Sequence, residues 1–230
     1  KTYYCDIRNF KKKNKIIKNI RPEIIFHFAA QSLVGEGYKD FETTYTTNFL
    51  GTMNILKCIK FNKSIKTCLI TTTDKVYENI DKKNKIYKEE EKLFGSNPYS
   101  GSKVAKENLI YSFAKSFLKK KNIIVVRSGN VIGGGDFTKT RLIPDLIESF
   151  KKNNKFLVRN MNYTRPWQHI YDVLQIYIDL VKKIHSKKGF YDAFNVSSSL
   201  KYQTSVKKII FLFLKNKFFK NISIIQEKKS

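Results

Sequence analysis

The chain has 230 residues, 41% of them hydrophobic, and carries a formal net charge of +26 from 45 Lys and Arg against 19 Asp and Glu. That is enough apolar material for one sizeable core or two small lobes sharing one. The apolar run at 209–214 is far short of the roughly 20 residues that cross a bilayer. No signal-peptide pattern opens the sequence, so a soluble globular protein without a membrane partner is expected.

Cys5, Cys58 and Cys68 lack a C-x-x-C spacing, which argues against a disulfide framework or a thiolate metal site and for a reducing cytoplasm. His27, His169 and His185 are scattered and form no H-x-x-x-H pair, so no bound metal is expected. The charge comes from six Arg and 39 Lys dispersed among Asn and Ile. Solvated lysine faces account for that texture better than a nucleic-acid patch, which favours localised arginines.

From Glu23 the pattern predicts a strand (Ile24 to Ala29), a helix from about Thr44 to Ile59, and a second strand (Thr67 to Thr72). A polar loop with Lys82, Lys83, Asn84 and Lys85 follows. Asn97-Pro98 then introduces a long helix, Tyr99 to about Lys120, before a third strand, Ile123 to Arg127, that ends in Ser128-Gly129-Asn130. Beyond Gly133, Gly134 and Gly135 come a helix (Leu142 to Lys151), a strand (Phe156 to Arg159), a helix (Ile170 to Ile184), a strand (Phe194 to Val196) and a basic helix (Ser205 to Lys217). Short Ile/Val-rich runs alternating with helices indicate a Rossmann-like, doubly wound α/β fold with a parallel sheet. Residues 1–130, with 168–198 returning to them, are expected to form a partial dinucleotide-binding domain. Residues 131–167 and 199–230 are expected to form a small interwoven substrate lobe.

Ligands of open parallel sheets sit beyond the carboxyl ends of the strands. Three predicted strand ends carry suggestive residues: Ala29-Ala30-Gln31, Thr73-Asp74-Lys75 and Gly129-Asn130. Tyr99 and Lys103 form a Y-x-x-x-K pair on one helix face. Tyr111 and Lys115 match as well, turned about 120° away, so the spacing alone is weak evidence. The position of Tyr99 at the helix start, one strand-to-helix step after Thr73-Asp74, marks the first pair as catalytic. A phenol of pKa about 10 must fall by roughly 3 units, about 4 kcal/mol, to act as a base at neutral pH. A neighbouring ammonium favours that phenolate.

The ordered motifs H-F-A-A-Q, T-T-D-K-V-Y, N-P-Y-S-G-S-K, G-N-V-I-G-G-G-D-F, R-L-I-P-D and R-P-W-Q-H span His27 to His169. In this order they resemble the CDP-glucose 4,6-dehydratases, extended short-chain dehydrogenase/reductases of the epimerase/dehydratase superfamily. The resemblance implies an NAD-dependent hydro-lyase that makes CDP-4-keto-6-deoxyglucose by an internal hydride cycle. Such products feed deoxysugar biosynthesis, including that of lipopolysaccharide O-antigen. Tyr99 would take the 4-hydroxyl proton, Thr73 would hold that oxygen, and Asp74 would protonate the departing 6-hydroxyl. Lys75 stands where related dTDP-glucose dehydratases have a Glu base; it is either the C5 base or a lysine that anchors the sugar or pairs with Asp74.

Cofactor contacts implied by the resemblance are Asp6, Ile7, Ala29, Ala30, Gln31, Asn48, Thr72, Tyr99 and Lys103. Substrate contacts are Thr73, Asn130, Arg141, Leu142, Arg159 and Arg165, since guanidinium forks match phosphate oxygens. His27 reads as structural, and Trp167 as either packing or base stacking. The family's Gly-rich first turn is absent before Gly35, so the chain is expected to lack the first βαβ unit and to turn over little by itself. Relatives often form homodimers through the helices flanking the Thr73 strand. Other readings are a 4-epimerase or dehydratase for a dTDP- or GDP-sugar, an inactive fragment, and a basic nucleic-acid-binding protein.

Overall fold

A computed structural model describes residues 1–78, 85–152, 155–199, 203–215 and 223–226. Two units are distinguished: Lys1–Ser128 with Leu174–Val196, and Gly129–Val173 with Ser197–Ser230. Among the described residues no helix is long and apolar enough to cross a membrane.

In the first unit, helix α1 (Phe10–Ile20) is opened by the Asn9 side chain, which accepts from the Lys12 amide, and closed by Arg21 in the left-handed region. Strand β1 (Ile24–His27) leads to α2 (Val34–Lys39) and α3 (Phe41–Tyr45). A π-helical turn, Thr46–Leu50, separates α3 from α4 (Gly51–Phe61). Strand β2 (Thr67–Thr71), helix α5 (Pro98–Phe117) and strand β3 (Asn122–Ser128) follow.

In the second unit come β4 (Asn130–Ile132), α6 (Leu142–Lys151), β5 (Phe156–Val158), β6 (Thr164–Arg165) and β7 (Trp167–His169). Helix α7 (Ile170–His185) passes from the second stretch into the first, where β8 (Tyr191–Val196) completes the sheet. The last elements, β9 (Thr204–Ser205), α8 (Val206–Leu214) and β10 (Ile224–Gln226), belong to the second unit.

The sheet of the first unit has the order β1-β2-β3-β8 and is parallel throughout, with Phe26 opposite Leu69, Leu69 opposite Ile124, and Ile124 opposite Asp192. Its central strands are covered on both faces, which explains why β2 and β3 read as continuous apolar runs. Leu56 and Ile59 of α4, Ile110 of α5, Cys68 and Ile70 of β2, and Ile123 and Val125 of β3 form one core cluster. Cys68 is fully enclosed, and burial pushes its thiol up to about 12.

The second unit has its own small core of Leu146, Phe156, Val158 and Ile210. In the same unit β4 pairs with β7 and β5 with β10 in parallel, and β6 pairs with β9 antiparallel.

The sequence-based elements are present with shifted limits. Strand β1 stops at His27 rather than Ala29, β2 at Thr71 rather than Thr72, and β5 at Val158 rather than Arg159. Helix α5 ends at Phe117 rather than Lys120, where Lys121 turns back onto Leu118. Strand β8 begins three residues before Phe194, and α8 ends at Leu214; Lys217 lies outside the described residues, as do Lys82, Lys83 and Asn84. The single helix expected from Thr44 to Ile59 is instead three segments beginning at Phe41. Helix α1, whose Asn9 cap was a legible start signal, was not anticipated.

Candidate active site

Helix α5 starts where it does because Asn97 and Ser100 cap each other. Asn97 Oδ1 accepts from the Ser100 amide at 3.0 Å, Ser100 Oγ accepts from the Asn97 amide at 3.2 Å, and Pro98 occupies the first turn. This fixes Tyr99 and Lys103 one turn apart, both buried. Gly95 lets the incoming chain approach closely: a Cβ there would lie 2.3 Å from the Gly101 nitrogen.

Beyond β2, Thr73 caps a short 3-10 turn, Asp74–Val76, its hydroxyl oxygen accepting from the Lys75 amide at 3.3 Å. The same hydroxyl donates to Asp74 Oδ1 at 3.2 Å. The turn brings Lys75 to the Tyr99 ring. Lys75 Nζ is 6.0 Å and Lys103 Nζ 5.5 Å from the ring centroid. Two side-chain amines thus approach one phenol, and each favours its ionised form when protonated. Burial lowers Lys103 to about 8, with Glu107 opposing that shift.

The carboxyl end of β1 is fixed through Asn48, buried in the π-turn. Asn48 Oδ1 accepts from the Gln31 amide at 2.9 Å, and Nδ2 donates to the Gln31 carbonyl at 3.0 Å and to Ser102 Oγ at 2.8 Å. Ser102 in turn donates to the Tyr99 carbonyl at 2.7 Å. A widened π-turn often lies at a functional site. Here the Asn48 carbonyl receives the Thr52 hydroxyl at 2.7 Å, and Thr52 Oγ1 lies 3.0 Å from His27 Nε2. The hydroxyl proton is committed to Asn48, so His27 must donate from Nε2. His27 is neutral, because burial, aided by Lys106 and Lys103, pushes it well below its ordinary value.

Ala29 and Ala30 occupy the loop between β1 and Gln31, Ala29 exposed and Ala30 half-buried. Asp6 is held near pKa 2 by its hydrogen bonds to Arg8. Ile7 fits over Gly51, where a Cβ would lie 2.8 Å from Ile7 Cγ2. Thr72 is turned inward, its hydroxyl donating to Glu107 Oε1 at 2.6 Å.

In the second unit Asn130 opens β4 opposite Trp167, and Arg141 is the N-cap of α6, 3.5 Å from Asp136. Leu142 packs on the small core. Arg159 follows β5, and Arg165 on β6 places its guanidinium 4.9 Å from the Tyr163 ring centroid. Trp167 Nε1 donates to the Thr204 carbonyl at 3.1 Å, which favours packing. The second pair, Tyr111 and Lys115, lies on the exposed face of α5. Among the described residues no three His, Cys, Asp or Glu side chains gather to hold a metal.

Ser102, Lys106 and Glu107 were not singled out from sequence. The signal lay in spacing: Tyr99, Lys103, Lys106, Glu107, Ile110 and Ala114 form the buried stripe of α5.

Residues 1–217 match the protein-family model described as GDP-mannose 4,6 dehydratase. A CDP-glucose 4,6-dehydratase of Salmonella typhimurium is 40% identical over 191 residues, 79% of this chain and 52% of the relative. A dTDP-D-glucose 4,6-dehydratase of Dictyostelium discoideum is 28% identical over 80% of this chain and 44% of its own length. The chain therefore spans about half the length of these curated relatives. Among solved structures, a dTDP-glucose 4,6-dehydratase from Bacillus anthracis in complex with NAD superposes with a TM-score of 0.76 at 25% identity, over 98% of this chain and 67% of that one. A UDP-glucose 4-epimerase from Thermotoga maritima gives 0.84 at 19% identity, over 99% and 72%, and supports the fold. The motifs, the parallel sheet and the match over 217 residues agree: the chain belongs to the GDP-mannose 4,6 dehydratase family, within the extended short-chain dehydrogenase/reductases.

Proposed function

We propose that this chain carries the chemistry of a nucleotide-sugar 4,6-dehydratase acting on CDP-glucose with NAD. The observation that supports it is the convergence of Lys103 and Lys75 on the Tyr99 ring, with Asp74 on the same turn as Lys75. A base for sugar oxidation and an acid–base pair for elimination then lie side by side. The short side chains at Ala29 and Ala30 and the Gln31 backbone held by Asn48 fit a dinucleotide at the end of β1. When bound, NAD would supply the hydride acceptor and donor for an internal redox cycle between C4 and C6.

The chain's own residues do the rest. Tyr99 accepts the 4-hydroxyl proton, assisted by the Lys103 ammonium, while Thr73 holds the 4-oxygen. The 4-keto group acidifies C5, and Lys75 as a neutral amine takes that proton. Asp74 protonates the 6-hydroxyl, which leaves as water, and the proton held by Lys75 goes back to C5 once C6 has been reduced. Asp6, Ile7 and Asn48 are assigned to the cofactor side. Asn130, Arg141, Leu142, Arg159 and Arg165 of the second unit are assigned to the nucleotide diphosphate.

Three unpaired cysteines fit a reducing cytoplasm. Exposed Phe61 and Phe117, on the outer faces of α4 and α5, support a homodimer through these helices. Sedimentation of a Phe61→Asp/Phe117→Asp variant as a monomer, against a dimeric parent, would test that assembly.

The activity is tested by incubating the full-length protein with CDP-glucose and NAD and following the sugar by NMR. A 4-keto-6-deoxy product is expected. A 4-epimer formed without loss of water would overturn the reading.

A further inference from the structure

Lys106 is fully enclosed one turn beyond Lys103, on the same buried stripe of α5. A lysine in such a place costs stability, since its charged form is stripped of water, and it is retained where its amine has a task. Glu107, the neighbouring carboxylate, is already engaged. It accepts from Arg127 Nε at 3.1 and 3.0 Å, from Nη2 at 2.6 Å, and from the Thr72 hydroxyl at 2.6 Å.

The Lys106 amine reaches in another direction: Nζ donates to the Thr71 carbonyl at 3.0 Å. Consecutive residues of α5 therefore grip consecutive residues at the end of β2, Lys106 on Thr71 and Glu107 on Thr72. The next residues along the chain are Thr73, Asp74 and Lys75. The other residues assigned to the reaction, Tyr99 and Lys103, stand on α5 itself, two turns and one turn before the grip. The opposite side of the strand end is closed by the Thr72 amide donating to the Val126 carbonyl at 2.8 Å, and Arg127 is braced by the Tyr77 hydroxyl at 2.8 Å.

We propose that Lys106 is a positioning residue, which fixes the Thr71 end of β2 against α5 and so sets the separation between Thr73-Asp74-Lys75 and the Tyr99–Lys103 pair. The proposal rests on the dehydratase reading. It assigns Lys106 a task that its neighbours do not share, because a core-filling side chain of similar length, such as Met, occupies the volume without holding the carbonyl. Misplacement of reacting groups by about 1 Å costs on the order of a hundredfold in rate.

The test is Lys106→Met in the full-length protein, measured by turnover of CDP-glucose and by amide hydrogen exchange. The variant is expected to fold, with kcat reduced roughly tenfold to a hundredfold and KM within about twofold. Exchange at Thr72 to Val76 should rise while that of β3 stays fixed. If Lys106→Met does not fold, Lys106→Gln is measured in the same way. Unchanged exchange at Thr72 to Val76 overturns the clamp whatever the turnover. Raised exchange with unchanged kcat overturns its part in the reaction. If the unsubstituted full-length protein forms no product, the dehydratase reading fails instead, and exchange still decides the clamp.

Discussion

The amide nitrogen of Asn48 donates to the hydroxyl oxygen of Ser102 across 2.8 Å, joining the π-turn after α3 to the second turn of α5. Because Asn48 also holds both backbone groups of Gln31, the end of β1 and the helix bearing Tyr99 are referred to one side chain. Thr52, in the first turn of α4, donates its hydroxyl to the Asn48 carbonyl. Thr52→Val would leave the buried His27 donor unpaired and remove the hydroxyl from the Asn48 carbonyl, and a loss of about 1–3 kcal/mol is expected. Urea unfolding of the two proteins measures it; a change within about 0.5 kcal/mol would show that the turn holds itself.

Tyr99→Phe removes one oxygen from a buried ring and leaves the packing intact. Turnover of CDP-glucose should fall by about 10²–10⁴-fold while the far-UV circular dichroism is unchanged. Retention of more than half the activity would move the base elsewhere.

Lys103 gives a pH signature whose sign follows from its lowered pKa. In the folded protein it loses its proton near pH 8, against an ordinary 10.5, so between these values the unfolded chain binds more protons and stability rises with pH. Below pH 8 the penalty of burying the ammonium is present in full, about 3 kcal/mol by the size of the shift. Lys103→Met should therefore exceed the parent in stability at pH 7, with the gap closing as pH rises from 8 toward 10.5. A gap independent of pH would mean that Lys103 is not buried as a cation.

Glu107 and Arg127 are among the most enclosed charges of the first unit, exposed by only 3% and 6%. Glu107→Gln leaves the guanidinium without its carboxylate, and a loss of about 3–5 kcal/mol is expected. The double variant Glu107→Gln/Arg127→Met should recover much of it. Equal losses in the single and double variants would argue against coupling.

Gly95→Ala should perturb the start of α5, because the added methyl meets the Gly101 nitrogen at 2.3 Å. Overpacking of this kind costs about 1–3 kcal/mol. Thermal melting checks the loss, and an unaltered melting temperature would show that the 95–97 segment yields.

The sequence announced the sheet of the first unit because β2 and β3 are covered on both faces and so lack polar interruptions. Asn97-Pro98 announced α5 through the chemistry of a helix start. The π-turn could not be read, since Thr46–Leu50 has the composition of ordinary helix and widens because of contacts made by Asn48 and Thr52 with other elements. The short strands of the second unit, two or three residues each, hold too few side chains to show a period. Tyr99 and Lys103 were legible by spacing, whereas Lys106 was hidden by its type: a lysine on a helix normally reads as solvent-facing. Its place in the interior is carried by its spacing from Tyr99, Lys103 and Ile110 along one face of α5.

The enclosed thiol of Cys68 has a practical outcome. At neutral pH it is almost entirely un-ionised and out of reach of alkylating reagents. Label acquired at this position would therefore count the occasions on which the middle of the β-layer comes apart, giving an internal clock for large-scale breathing of the molecule.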